Sequence, residues 1–467
     1  MSAAAAKHRP AAYWLFFWPL ALMSVAWLAG KLGQNAILLS YPDGDNELAV
    51  FSLASSILWP LIASVAFLPQ ASNVLVRSRQ ALGVFCRFVL IGCVLLTTPL
   101  VLFGWTPLGR IWIPMLFTVD AETVERVMSY LRWFTPILPL MAFNQVLGGI
   151  LMQRKMTGRV TTARIADLGT MLLLLILGLK LGLPAIPVIT VSWVASNLAG
   201  FVVTAAFWLR AGGTRIWKPD TAGGEEEAGI DRLPVEALTV GAVFGYYWPM
   251  ALTSIMFALS RPIIFNLVTR LNPTGDPAGP DVDAIIAALT LAFTFAMLFQ
   301  GIVNQFRNVS VTFDDDPVGV KRFMVHATAL LTGVMALMVA TPVDTVFLRI
   351  VQQADGRVLT YALDTLWVLL LVPVTVAWRN WYHGRAMIER KTAIMGFAAV
   401  FRNLAIYLAG WGFLATGTLD ALTGAFLIVL GFFVEGLVVM LRVEGGRLLR
   451  RPAPPAVEPD PAESVSG

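Results

Sequence analysis

Charged residues are scarce in this chain. Asp, Glu, Lys and Arg together make up 13% of its 467 residues, whereas a soluble domain carries roughly 25%. Hydrophobic residues make up 57%, and the mean hydropathy is +0.73. This composition excludes a soluble enzyme, a secreted disulfide scaffold and a disordered chain. The apolar runs are continuous and lack the period-two alternation of a transmembrane barrel, so they predict helices that cross a bilayer.

Cysteine is nearly absent, and the common catalytic motifs are missing. Cys86 and Cys93 lie in one apolar stretch, where a helix would separate them by ~10.5 Å, too far for a disulfide. The sequence has no Walker A motif, no His-Glu-x-x-His motif, no Gly-x-Ser-x-Gly motif and no zinc-type cysteine spacing. We therefore predict no enzymatic activity, no cofactor and no metal site. The acidic run 314–316 is interpreted as a helix cap or a solvated loop.

A cleavable signal peptide is not expected either. Lys7 and Arg9 precede an apolar stretch, but this stretch runs from Tyr13 to Leu39 and is too long for a signal-peptide core. The hydropathy pattern instead predicts an all-α polytopic membrane protein with twelve transmembrane helices. They are expected near residues 12–40, 47–68, 80–105, 124–153, 161–181, 186–209, 237–270, 283–305, 323–346, 359–388, 393–415 and 419–442.

The distribution of charge predicts the orientation of these helices. The formal net charge is +5, but much of the positive charge lies in short loops that follow even-numbered spans. This pattern indicates membrane topology rather than binding of nucleic acid. Because the number of spans is even, the positive-inside rule places both termini in the cytoplasm. The Ala- and Arg-rich composition with few Lys is typical of a bacterium of high genomic GC content, so we expect the inner (plasma) membrane.

An internal repeat divides the chain. Trp18–Ser24 resembles Trp248–Ser254 at an offset of 230 residues, and two further matches lie at offsets of 235 and 236. The last of them pairs Lys155 with Lys391. Three near-constant offsets predict a duplicated six-helix unit of the kind found in transporters. We therefore predict a bundle at 1–210, a cytoplasmic linker at 211–235, a second bundle at 236–445 and a disordered cytoplasmic tail at 446–467.

Several polar and basic residues fall inside the predicted spans, where a charge costs ~2.5–3.5 kcal/mol and usually faces a polar cavity. Pro262 should kink the span that carries Arg261 and free a backbone carbonyl there. Plainer interpretations stay open, because Lys31 and Arg379 could reach the membrane surface and Arg307 could be a positive-inside residue. The candidate substrate-binding residues are Lys31, Gln34, Asn35, Asn144, Arg261, Asn304, Arg307, Arg379 and Asn380.

Carboxylates are few inside the spans, namely Asp167, Asp364 and Glu435. We take Asp167 and Asp364 as candidates for binding a coupling ion, a proton or sodium, since burial raises the pKa of a carboxyl group. The alternative is a structural ion pair, for example between Arg402 and Asp167. The balance inside the spans is basic, and arginine forms charge-assisted hydrogen bonds with carboxylate or phosphate. We therefore predict an anionic substrate.

Three stretches resemble the progressive ankylosis protein family. Trp248–Leu252, followed by Ser260–Ile263, is similar to the seventh helix of that family, and Val372–Val376 with the motif 390–392 is similar to its tenth helix. Arg307 with the dipeptide 313–314 resembles the end of its eighth helix.

The resemblance implies the multidrug and toxin extrusion-like (MOP) superfamily, with twelve helices in two pseudo-symmetric bundles. It also implies export of small polyanions such as pyrophosphate, nucleotide triphosphate or citrate. Arg261, Arg307 and Arg379 fall on matched positions, whereas Lys31 replaces a residue that is acidic in the animal protein.

We expect a secondary active exporter that works by alternating access, in which Lys31, Arg261 and Arg379 hold the anion. Lys31 and Arg261 should face each other across one solvent-filled space. The open alternatives are a lipid-linked saccharide flippase, a polyspecific drug efflux pump and a nontransporting membrane regulator. Besides the substrate and the coupling ion, the lipid bilayer is the only expected partner.

Overall fold

The computed structural model of the chain describes residues 7–42, 44–117, 121–216, 238–271, 281–351, 354 and 356–448. Every regular element in this part of the chain is helical. Most of the predicted linker and nearly all of the predicted tail lie outside the described residues. The α-helices are α1 Pro10–Leu39, α2 Gly44–Val65, α3 Leu68–Leu75, α4 Arg79–Trp105, α5 Leu108–Leu116, α6 Ala121–Phe134, α7 Ile137–Gln153, α8 Thr157–Lys180, α9 Ala185–Arg210, α10 Val240–Thr269, α11 Val282–Asn304, α12 Phe306–Thr312, α13 Pro317–Ala340, α14 Val343–Val346, α15 Gly356–Leu369, α16 Val372–Ile388, α17 Ala393–Ala415 and α18 Ala421–Leu448.

Eleven segments of the described chain are long and apolar enough to cross a membrane, and α15 with α16, bent by 42°, make a twelfth when the bent pair is counted as one span. This count agrees with the predicted twelve. The protein is therefore a multi-pass membrane protein. We call the face at which α1 begins the terminal face. Since the spans alternate in direction, α10 also begins at this face.

Some boundaries differ from the prediction. Helix α13 begins at Pro317, six residues before the predicted 323, because Asp316 caps it and Pro317 takes the first helical position. The short helix α5 was predicted as loop; it exposes Ile111, Trp112 and Met115 and is too short to register as a span.

The two halves repeat the same series of nine helices. Helices α1 and α10 have 30 residues each, α6 and α15 have 14, and α7 and α16 have 17. Helices α7 and α16 are followed by residues with positive φ, 59° at Lys155 and 56° at Arg390. These two residues are 235 apart, so the sequence match of Lys155 with Lys391 was wrong by one position.

In each half a short helix packs tightly on a long one. A Cβ at Gly149 of α7 would lie 1.9 Å from Ser72 Oγ of α3, and a Cβ at Gly384 of α16 would lie 2.6 Å from Ser310 Cβ of α12. The two glycines are again 235 residues apart. Only glycine allows this approach, so both short helices are held against the helices that carry candidate site residues.

The halves contact each other at the terminal face. Aromatic rings at the start of α1 pack on the second half, with Tyr13 4.9 Å from Phe313 and Phe17 5.3 Å from Phe306 between ring centroids. Deeper in the molecule, Tyr247 Oη donates to the Ser64 carbonyl at 2.6 Å. These contacts close the molecule at this face.

Asp316 links the start of α1 to the second half. Its carboxylate accepts hydrogen bonds from Tyr13 Oη at 2.5 Å, from the His8 amide at 3.1 Å and from the Gly319 amide at 2.9 Å. Burial alone would raise the pKa of Asp316, but the bond from Tyr13 and the backbone donors outweigh it and lower the pKa below its ordinary value. The ionised form is thus the one that holds the two halves together.

We predict that Asp316→Asn destabilises the protein at pH 7 by about 1–2 kcal/mol, because the hydrogen bonds lose a charged acceptor. A lowered carboxyl pKa gives stability that is complete above the ordinary value of about 4 and is lost as the pH falls through the lower folded value. Thermal unfolding followed by tryptophan fluorescence should show the variant and the wild type converging as the pH falls from 7 to 3. A constant difference over this range would contradict the assignment, and Tyr13→Phe, which removes one bond, should show a smaller effect.

Candidate functional site

A cavity of about 330 Å³ lies between the two halves. Helices α1, α3, α7, α8 and α9 form one wall, and α10, α11 and α12 form the other. Its charged lining residues are Arg164 and Arg307, and the described lining contains no carboxylate. Seven amide side chains complete its polar surface: Gln70, Asn144, Gln145, Gln300, Asn304, Gln305 and Asn308.

Arg307 brings an unneutralised charge to this cavity. Its guanidinium lies 4.4 Å from the centroid of the Phe67 ring, and its Nε donates to the Asn304 carbonyl at 3.4 Å. Within the described residues, no carboxylate lies within ion-pair distance of it. The other cation, Arg164, differs because Asp167 pairs with it from three positions further along α8. The cavity therefore has a net positive character.

Smaller cavities extend from the central one. Lys31 lines a space of about 90 Å³ that shares Trp27, Met141 and Arg164 with the central cavity. Its Nζ lies 5.6 Å from the ring centroid of Trp59, within cation–π range.

Arg261 occupies the corresponding place in the second half. It lines a narrow space of about 20 Å³ that shares Phe257 and Gln300 with the central cavity. Its guanidinium lies 5.2 Å from the Phe293 ring centroid. The two cations thus lie in separate side spaces of opposite halves, rather than facing each other across one space.

Four other predicted site residues line either the central cavity or a side space next to it. Asn144 and Asn304 line the central cavity, and Asn35 lines a side space of about 330 Å³ next to Lys31. Gln34 also reaches that space, but it is buried and accepts a hydrogen bond from Trp193 Nε1 at 3.0 Å, which joins α1 to α9.

Three predicted residues do not face the cavity. Arg379 and Asn380 are 4% and 0% exposed and lie within the second half. The sequence could not show which side of α16 they occupy. Asp364 on α15 is exposed and does not line the central cavity. Of the two carboxylates proposed for a coupling ion, only Asp167 lies at a cavity wall.

A buried charge cluster explains the position of Arg379. Glu435 Oε2 on α18 lies 3.3 Å from Arg379 Nη1 on α16 and 2.5 Å from Arg402 Nη1 on α17. His383 Nε2 lies 3.4 Å from Glu435 Oε1. The hypothesis that Arg402 bridges Asp167 was wrong: Arg402 pairs with Glu435, and Asp167 pairs with Arg164.

Six amide or charged residues of the central cavity were not among the predicted candidates: Gln70, Gln145, Arg164, Gln300, Gln305 and Asn308. Gln70 on α3 and Asn308 on α12 belong to the two short helices, and their polar character on equivalent helices was an available signal. Arg164 is three residues before Asp167, a spacing that favours an ion pair on one helix face. No group of three or more His, Cys, Asp or Glu side chains in the described part of the chain could hold a metal ion.

Comparison with known proteins agrees with this architecture. The family model for progressive ankylosis protein (ANKH) matches residues 4–319. This range includes Arg261 and Arg307 but ends before Arg379. No curated protein sequence is significantly similar to the chain.

Several solved structures share the fold. A MOP superfamily transporter from Pyrococcus furiosus, with a binding pocket described as having reverse polarity, has 16% identity over 94% of this chain and 95% of its own, at a TM-score of 0.67. A mutant of the Vibrio cholerae MATE transporter VcmN has 15% identity over 94% and 96%, at 0.69. The eukaryotic MATE transporter AtDTX14 has 16% identity over 92% and 95%, at 0.68. The chain therefore has the MATE fold.

We predict that Glu435→Gln destabilises the protein by about 3–5 kcal/mol, because it leaves two buried guanidinium groups without a counter-charge. Arg402→Met is the matched control, since it leaves Arg379 and Glu435 as a neutral pair. Thermal unfolding in detergent should give a clearly lower midpoint for Glu435→Gln than for Arg402→Met. Equal midpoints would show that Glu435 does not balance the cluster.

Proposed function

The chain belongs to the progressive ankylosis protein (ANKH) family, and from this premise we propose that it exports small organic or phosphate-bearing anions, such as citrate, pyrophosphate or nucleotides. Family and fold make it a membrane transporter of the MATE type. The anionic substrate, the direction of transport and the coupling are our proposal.

The positive charge and the amide lining of the central cavity support this proposal. Arg307 offers an unneutralised guanidinium, and the described lining offers seven amides without a carboxylate. A guanidinium suits carboxylate or phosphate oxygens because it can donate two parallel hydrogen bonds. Lys31 and Arg261 in the side spaces add two further cations along the cavity system. A cationic drug would be better served by a carboxylate, so drug efflux is the weaker interpretation.

Transport would follow from motion of the two halves. We propose that the bundles at 1–210 and 236–445 rock against each other about the central cavity. The terminal face would lie in the cytoplasm, with the protein in the inner membrane, so the state described here would be closed toward the cytoplasm. Opening would then require Tyr13 to separate from Asp316, and Asn73 to separate from Thr312.

Asp167 is our candidate for the coupling ion. It is 6% exposed, pairs with Arg164 and lines the side space next to Lys31. A proton or sodium ion at Asp167 would compete with Arg164 for the carboxylate. Release of Arg164 would then raise the positive charge of the central cavity, and this links the ion to the anion.

We predict that Arg307→Met lowers anion uptake into proteoliposomes by about tenfold to a hundredfold, because one charge-assisted contact is lost. The measurement is initial uptake of radiolabelled citrate, pyrophosphate and a nucleoside triphosphate. Arg270→Met is the control, because Arg270 is an exposed arginine at the end of α10, outside the cavity. Uptake that is equal in both variants would contradict a role for Arg307 in binding.

A second prediction concerns alternating access. Asn73 Nδ2 donates to Thr312 Oγ1 across the two halves at 2.9 Å. In a background with Cys86 and Cys93 changed to Ser, Asn73→Cys with Thr312→Cys should be joined by a short bifunctional thiol reagent. We expect joining to stop uptake and reduction to restore it, while either single variant stays active after the same treatment. Full uptake by the joined protein would exclude separation of the halves at this face.

A further inference from the structure

The second half carries an excess of buried positive charge behind the cavity wall. Arg379 and Arg402 share one carboxylate oxygen of Glu435, and all three side chains are at most 5% exposed. Two guanidinium charges against one carboxylate leave one positive charge uncompensated. Such a cluster is costly to bury unless its remaining donors find acceptors, so the contacts of Arg379 beyond Glu435 are informative.

Those contacts lead to the central cavity. Arg379 Nη2 donates to Asn304 Oδ1 at 3.1 Å and to Asn380 Oδ1 at 3.3 Å. Asn380 Nδ2 donates to the Val303 carbonyl at 3.0 Å and to Asn304 Oδ1 at 3.3 Å. Asn304 itself lines the cavity, whereas Arg379 and Asn380 lie behind it.

Chemistry then fixes the orientation of the Asn304 amide. A guanidinium has only hydrogen-bond donors, so the atom of Asn304 that faces Arg379 must be the oxygen. The amide of Asn380 is fixed in the same way, because its nitrogen donates to a backbone carbonyl. With its oxygen held from behind by two donors, Asn304 has its NH₂ group left for the cavity, on the same wall as Arg307.

The first half lacks this buried arginine cluster at the equivalent positions. Arg379, Arg402 and Glu435 follow Asn144, Asp167 and Gly200 by 235 residues each, the offset that relates α7 to α16. Gly200 lies against Asp167 and Asn144, so the three first-half residues also adjoin one another.

The two copies of the repeated unit have therefore diverged in charge. The acid of the first half, Asp167, is neutralised by Arg164, whereas the second half keeps an excess cation. This assigns the anion to the wall formed by α11 and α12.

We propose that Arg379 is a positioning residue: it holds Asn304 Oδ1 from behind, so that the Asn304 NH₂ group donates to the anion in the cavity. Glu435 and Arg402 keep Arg379 in this place. The inference rests on the proposed function and deepens it, because it makes the second-half wall a surface of donors for carboxylate or phosphate oxygens.

Arg379→Met and Arg402→Met form a matched test. Each removes one guanidinium and leaves the other paired with Glu435, but only Arg379 contacts Asn304. In proteoliposomes with radiolabelled citrate, we expect Arg379→Met to raise KM about tenfold with little change in maximal rate. Arg402→Met should leave KM within about twofold. Equal KM values in the two variants would overturn the proposal.

A substrate-free measurement separates this inference from the proposed function. Thermal midpoints of Arg379→Met, Asn304→Leu and the double variant give the coupling between the two side chains. We expect the double variant to lose clearly less than the sum of the single losses. Additive losses would overturn the positioning role even if anions are transported. If coupling is present but the wild type takes up no anion, the positioning contact stands and the proposed substrate class fails.

Discussion

The carboxylate of Glu435 on α18 pairs with two buried arginines at once, Arg379 on α16 and Arg402 on α17. In an interior without water, two guanidinium groups at this distance would repel each other and lose their hydration. One shared oxygen lets α16, α17 and α18 converge around them. The position of α16 then determines where Asn380 meets α11 and where α12 can pack on Gly384. The wall that carries Asn304 and Arg307 depends on that convergence.

Much of the fold follows from the sequence, because long apolar runs can satisfy their backbone in a membrane only as helices. The duplication was also visible, since Trp18–Ser24 and Trp248–Ser254 retain similar side chains. The bend between α15 and α16 was not visible, because the apolar run continues across the break. Nor was α5 visible, since a helix of nine residues leaves no clear signal in hydropathy.

The candidate site was only partly predictable, for a geometric reason. Hydropathy places a residue along a helix but not around it, and a rotation of one position, about 100°, moves a side chain from a cavity to a neighbouring helix. Arg307 and Asn304 were assigned to the cavity, and they line it. Arg379 and Asp364 were assigned with the same reasoning, yet one lies inside a bundle and the other is an exposed residue of α15. Only the packing of the helices separates these cases.

The closure at the terminal face begins very near the amino end of the chain. His8 and Tyr13 both bind Asp316, so residues at the start of α1 belong to the contact that holds the halves together. A fluorescent label attached at His8 would disturb this contact and bias which conformation is purified.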